Sequence, residues 1–463
     1  MARPQHGGMR DMTVGSPVKL LLSFTLPLTL GYMVQQLYSM ADSIIVGKGI
    51  GVEAFAAVGA TAWVSFLILG FVTGLTGGFS ILTAQCFGAG DAKGLRHTLT
   101  QGTLLSVALS LVVTVVSMAT CKPLLQLLRT PADILEDANV YLLVIYAGTL
   151  PTVMYNFYAS ILRALGNTKG PLYVLIASAL ANIGLDLLFV IPLKMGVGGA
   201  ALATVLSQLL SEVLCWLVLR RYPILKTEKE DWKLYLPMQK KLIGLGIPMA
   251  LQNSVISIGG IILQSVVNGF GSACVAGFSA ASRVQALADQ PGFTLGLAIA
   301  TYAGQNLGAK KLDRIKDGVR KGVLISLIMN VITGGIIILL NRPLVLLFMD
   351  STEAEALATA HQYILVMGLF EWVLGLLFFY RSALQGMGNT LMPMASGVVE
   401  LVMRIVIVLT FPTMLGMGFL GVCIAEVGAW TGAAILLAAA YYTFMAKKCR
   451  EIKNAPAESS AEA

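Results

Sequence analysis

Gly166-Asn167-Thr168-Lys169-Gly170-Pro171 recurs 222 residues later as Gly388-Asn389-Thr390-Leu391-Met392-Pro393. Glycine and asparagine close one helix and proline enters the next, so the element reads as structural punctuation and is assigned no chemistry. Its recurrence decides the fold, because two other pairs keep nearly the same offset. Pro27 matches Pro248 near the start of two long apolar stretches, and Gln85-Cys86-Phe87-Gly88-Ala89 matches Gln305-Asn306-Leu307-Gly308-Ala309. Three anchors at offsets of 220 to 222 residues make the chain a tandem duplication.

The duplicated unit is built for lipid. With 56% hydrophobic residues, 12% charged residues and a mean hydropathy of +0.79, the 463-residue chain is too apolar for a soluble globule. Twelve apolar segments lie between residues 18 and 446, and the one long polar interruption divides six from six. The sequence therefore predicts an all-α polytopic membrane protein of twelve transmembrane helices in two pseudo-symmetric six-helix lobes. Residues 1–220 form the N-lobe, 221–241 a cytoplasmic linker, 242–446 the C-lobe and 447–463 a cytoplasmic tail. Six spans per copy leave both copies in the same orientation, so their axis runs along the membrane normal and a substrate site is expected between the lobes.

A net charge of +8 is compatible with nucleic-acid binding, but its distribution points to topology instead. With a cytoplasmic N-terminus, 24 of the 32 Lys and Arg fall in cytoplasmic segments. Five fall outside (Lys48, Lys122, Arg129, Lys194, Arg342) and three within spans (Arg283, Arg381, Arg404). This excess places both termini in the cytoplasm, with no nucleic-acid partner. The first apolar segment is too long for a cleavable signal. The six cysteines show no metal-ligand spacing and read as small apolar fillers.

Against this background the polar residues inside spans stand out. Asp42 in span 1 follows Gln35 and Tyr38 on one helical face. A carboxylate at membrane depth costs on the order of 2.5 to 3.5 kcal/mol, and such groups face a bundle interior or an aqueous path. Span 5 adds Asn182 and Asp186, four residues apart and on one face, and span 6 adds Thr204. Two acids in one low-dielectric cavity repel unless a proton or cation intervenes, so the set can exchange protons or hold a monovalent cation. Pro27 removes a backbone donor about 22 Å before Asp42, at 1.5 Å per residue, and a bend is expected there. The C-terminal half carries Asp289 in span 8, Glu371 in span 10, and Glu400 with Arg404, whose i,i+4 spacing reads as a structural ion pair.

On these residues the chain resembles the multidrug and toxic compound extrusion (MATE) family, over nearly its whole length. The resemblance rests on the two six-span lobes, Pro27 and Asp42, Gln85 with Gly88, and the repeated Gly-Asn-Thr. In the DinF-like branch the N-lobe cation network is an Asp on span 1, an Asn and an Asp four apart on span 5 and a Thr on span 6. Asp42, Asn182, Asp186 and Thr204 stand at those places, and Pro27 matches the proline whose bending accompanies protonation there. The NorM-like branch resembles instead a C-lobe sodium site with a Glu on span 7. Here span 7 offers only the amides Gln252, Asn253 and Gln264, which moves the expected ion site to the N-lobe.

The resemblance implies a monomeric, cofactor-free secondary antiporter that exports organic, cationic and amphipathic small molecules in exchange for H+ or Na+. Gln35, Tyr38, Tyr141 and Asn156 are the expected substrate contacts, and membrane lipids its surroundings. A lipid-linked saccharide flippase is the nearest alternative, although twelve spans and an acidic N-lobe speak against it. An intramembrane enzyme is more remote: HExxH and GxSxG are absent, and the three histidines, His6, His97 and His361, are poorly placed for catalysis.

Overall fold

The computed structural model describes residues 8–127, 130–348, 353–412 and 414–453, and these are predominantly helical, with no strand among the described residues. The expected residues 454–463 of the tail, His6 and Arg129 lie outside them. The first half comprises α1 (Pro17–Gly49), α2 (Val52–Ala89), α3 (Ala92–Leu127), α4 (Leu135–Ala147), α5 (Thr149–Ala164), α6 (Lys169–Val190) and α7 (Gly196–Leu219). The second comprises α8 (Leu236–Asn268), α9 (Ser272–Gly308), α10 (Leu312–Leu339), the short α11 (Asn341–Val345), α12 (Ala354–Gly386), α13 (Leu391–Thr410) and α14 (Phe419–Lys453).

Ten of these helices are long and apolar enough to cross a membrane, and α4 with α5, bent by 51° at Gly148, makes an eleventh span. The twelfth is α9. At 37 residues it is long enough, but Arg283, Gln285, Asp289 and Gln290 lower its hydropathy because it packs against α12, α2, α10 and α1 rather than lipid.

The repeated hexapeptide performs the same task twice. Gly166 and Gly388 adopt φ of 81° and 83°, a left-handed conformation that glycine enters without penalty. Asn167 Oδ1 then accepts from Gly170 N at 2.9 Å, and Asn389 Oδ1 from Met392 N at 3.3 Å, closing the first turn of α6 and of α13. The polar interruption between the halves is folded rather than slack. Two 3-10 turns, Pro223–Leu225 and Lys229–Trp232, lie against α3. Their anchor is the buried Asp231, which accepts from Arg96 Nε at 3.0 Å and from Glu228 N at 2.9 Å, while its carbonyl receives the Thr100 hydroxyl at 2.7 Å. Burial opposes ionisation of Asp231, but the Glu228 amide and the Arg96 charge outweigh it and hold the carboxyl below its ordinary value.

The lobes meet chiefly where α2 crosses α8, and where α1 and α2 cross α9. A Cβ on Gly78 would lie 2.5 Å from the Gly246 Cα, so the α2–α8 approach depends on small residues. Near the linker face the seam is reciprocal. Gln85 Nε2 at the end of α2 donates to Gly386 O at the end of α12 (3.2 Å), and Gln305 Nε2 at the end of α9 donates to Ala164 O at the end of α5 (2.8 Å). A Cβ on Gly88 would lie 1.9 Å from Gln305 O, and one on Gly308 1.9 Å from Gln85 O. The segment before α1 is laced into this seam, with Arg10 N bonded to Leu165 O and Met12 N to Gln305 Oε1. A cavity of about 90 Å³ lies between the lobes at this end.

Candidate functional site

At the opposite face the lobes stand apart. A cleft of about 720 Å³ is lined from the first lobe by Ser39, Asp42, Thr61 and Tyr141, and from the second by Gln264, Arg283, Tyr363 and Glu426. Helix α1 links the two ends. Its first half, with Leu20, Leu21, Phe24 and Leu28, belongs to the C-lobe core, and Thr29 bonds the Thr294 hydroxyl of α9 at 2.7 Å. Its second half turns to α6. Pro27 lies on the C-lobe side of that change of partner, and α1 runs unbroken through it.

Seven residues before the end of α1, Asp42 faces Asp186, four residues before the end of α6. The two carboxyl groups lie within interacting reach of each other, yet Asp42 Oδ1 and both Asp186 oxygens form no hydrogen bond of ordinary geometry. One turn earlier on α6, Asn182 is 1% exposed and its amide nitrogen and oxygen are both unpartnered. Buried polar atoms are almost always satisfied, which makes these atoms the candidate ligands for a proton or cation. Tyr38 and Tyr141 border both carboxylates, and Gln35 lies beside Tyr38. Thr204 sits on the adjoining α7, its hydroxyl bonded to Ala200 O at 3.2 Å. Asn156 does not join this group; on α5 it donates to Thr152 O at 2.8 Å.

A second orphaned acid pair lies in the C-lobe. Asp289 of α9 and Glu371 of α12 face each other, with Gln285 and Asn330 nearby. Both Glu371 oxygens, Asp289 Oδ1, Gln285 Oε1 and Asn330 Oδ1 lack partners. Sequence reading named both acids without pairing them. Each stands seventeen residues into a helix that starts at the cleft face, Ser272 or Ala354, and that equal depth is the sign that would have joined them. The expected Glu400–Arg404 pair is corrected: Glu400 pairs with Arg381 of α12, and Arg404 with Glu426 of α14 at 2.7 Å. Four-residue spacing permits a pair on one helix, but each side chain here points to a neighbouring helix. Arg283, at the cleft mouth, was noted in the sequence only as a charge within a span.

The comparison with known families meets this geometry at both lobes. A family model described as MatE matches residues 27–188 and again residues 248–410, one match per lobe. The chain belongs to the MatE family. As a MATE protein it is a multi-pass membrane transporter and not an enzyme. Among relatives, the probable multidrug resistance protein YoeA of Bacillus subtilis (strain 168) is 28% identical over 355 residues, 74% of this chain and 75% of that protein. The probable multidrug resistance protein YpnP of the same strain is 28% identical over 384 residues, 82% and 85% of the two chains. A crystal structure of MATE in complex with MaL6 superposes with a TM-score of 0.90 at 24% identity, covering 96% of this chain and 100% of that one. That likeness concerns the fold.

Proposed function

We propose that this MATE transporter is a bacterial cell-membrane antiporter that exports organic, cationic and amphipathic drug-like molecules in exchange for H+ or Na+, with the linker face cytoplasmic. The observation that carries the reading is the Asp42–Asp186 pair, a half-buried and a fully buried carboxylate facing each other beside a cleft between the lobes. Ionised, the pair attracts an organic cation; loaded with protons, or with Na+ held also by Asn182 and the Thr204 hydroxyl, it releases that cation. The difference in affinity between the two charge states lets the inward ion gradient drive export. Tyr38, Gln35 and Tyr141 supply contacts around the cleft, with Asn156 a further contact from α5. Bending of α1 at Pro27 transmits the charge state to the C-lobe, on which its first half rests. The pattern Asp42, Asn182, Asp186 and Thr204 favours the DinF-like branch. The test is efflux of a fluorescent cationic dye from proteoliposomes under an imposed pH or Na+ gradient. Efflux should follow one gradient and be lost in Asp42→Asn; undiminished gradient-driven efflux in that variant would refute the mechanism.

A further inference from the structure

On the outer flank of the N-lobe, where α7 runs into the linker, a cavity of about 780 Å³ lies between α3, Tyr158 of α5, the end of α7 and the two 3-10 turns. Arg220, Arg221 and Lys226 line it, all exposed, and no Asp or Glu lines it. No ion pair engages any of the three cations among the described residues. The nearest acid in the linker that is buried, Asp231, is already held by Arg96 and His97. Trp216 and Trp232 flank the cavity at 41% and 44% exposure, and the Arg220 guanidinium stacks 4.6 Å over the Trp216 ring. Exposed tryptophans of this kind mark the membrane–water boundary. Because the Asp231 bonds fix the linker to α3, the pocket has a built wall rather than a passing loop.

We infer that this pocket binds the headgroup of an anionic glycerophospholipid of the leaflet on the linker side. Its phosphate diester would sit among the three cations. Its acyl chain would follow α7, where Leu209, Val213 and Leu217 are exposed at four-residue intervals and so form one apolar stripe leading away from Trp216. Basic pockets between membrane helices on the cytoplasmic side have this chemistry. The chain's own first seven residues do not complement it, since they carry Arg3 and no acid.

The test is native mass spectrometry of the full-length protein titrated with phosphatidylglycerol, phosphatidylcholine or inorganic phosphate. Phosphatidylglycerol should saturate a site that phosphatidylcholine does not fill, and millimolar phosphate should displace it poorly for want of the acyl contacts. The triple substitution Arg220→Gln, Arg221→Gln, Lys226→Gln should weaken that binding roughly a hundredfold, and Arg220→Lys with Arg221→Lys should retain most of it. Equal binding of phosphatidylcholine, unchanged phosphatidylglycerol binding in the triple variant, or phosphate binding as tightly as the lipid would each overturn the inference.

Discussion

Replacing Gly88 by alanine should tip the transporter towards the conformation open at the linker face. In the structure, a Cβ at Gly88 would lie 1.9 Å from Gln305 O and 2.6 Å from Gln305 C, both backbone atoms that no side-chain rotation can clear. The two helices must therefore separate where the lobes close. Overpacking of this kind costs about 1 to 3 kcal/mol, and the cost falls only on the conformation in which α2 and α9 cross. The ratio of the two conformations should then shift about 5- to 150-fold. Spin labels at the exposed Lys93 and Lys316, one on each lobe, report the opening as growth of a longer distance in pulsed dipolar spectra. Gly308→Ala, whose Cβ would meet Gln85 O at 1.9 Å, should give the same shift, and the double variant less than the sum, since either change opens the same crossing. A wild-type distance distribution in a folded Gly88→Ala protein would refute the reasoning.

Gln305→Leu should free the segment before α1, because it removes the bonds to Met12 N and Ala164 O, both 2.8 Å, and leaves a buried amide unpaired at about 1 to 3 kcal/mol. Hydrogen exchange over residues 10–15 should rise accordingly. Glu400→Gln leaves the buried Arg381 guanidinium without its charge partner and should cost about 3 to 5 kcal/mol in unfolding measurements, whereas Arg381→Met with Glu400→Leu should recover most of that loss. Asp231, whose folded carboxyl is held below its ordinary value, stabilises the linker above that value and loses its effect as pH falls through the folded one. Protection of the amides across 226–235, relative to their unstructured exchange rates at each pH, should stay high from pH 7 to about 5, fall only below about 4, and be low already at pH 7 in Asp231→Asn.

The span count was legible because lipid demands long apolar helices, and α9 was counted among the twelve apolar segments although it is less apolar than the other spans. The acids of the N-lobe were legible because a carboxylate in an apolar helix needs a reason, and helical spacing joined Asn182 to Asp186. Side-chain partners on different helices were not. Glu400 and Arg404 satisfy a spacing rule, yet that rule says which residues share a face and nothing about what the face meets. Asp231 sits in a run of charges from Lys226 to Lys241, and nothing local marks one member of such a run for burial.

The duplication itself carries more than the fold. Around a twofold axis contacts are reciprocal: whatever one copy presents there meets the same element of the other. A repeated element therefore has two possible reasons. Gly166-Asn167 and Gly388-Asn389 are explained within each copy, as helix ends with left-handed glycine. Gln85 with Gly88, and Gln305 with Gly308, sit in the last turn of α2 and of α9, but the glutamine side chains and the close glycine approaches serve the opposite lobe rather than their own helix ends. Their reason is the axis, where each glutamine reaches a carbonyl of the opposite lobe and each glycine makes room for the opposite backbone. In a duplicated transporter, a polar pair repeated without a local role thus points to where the lobes close. Those residues are accordingly the ones through which closure can be weakened without touching Asp42 or Asp186.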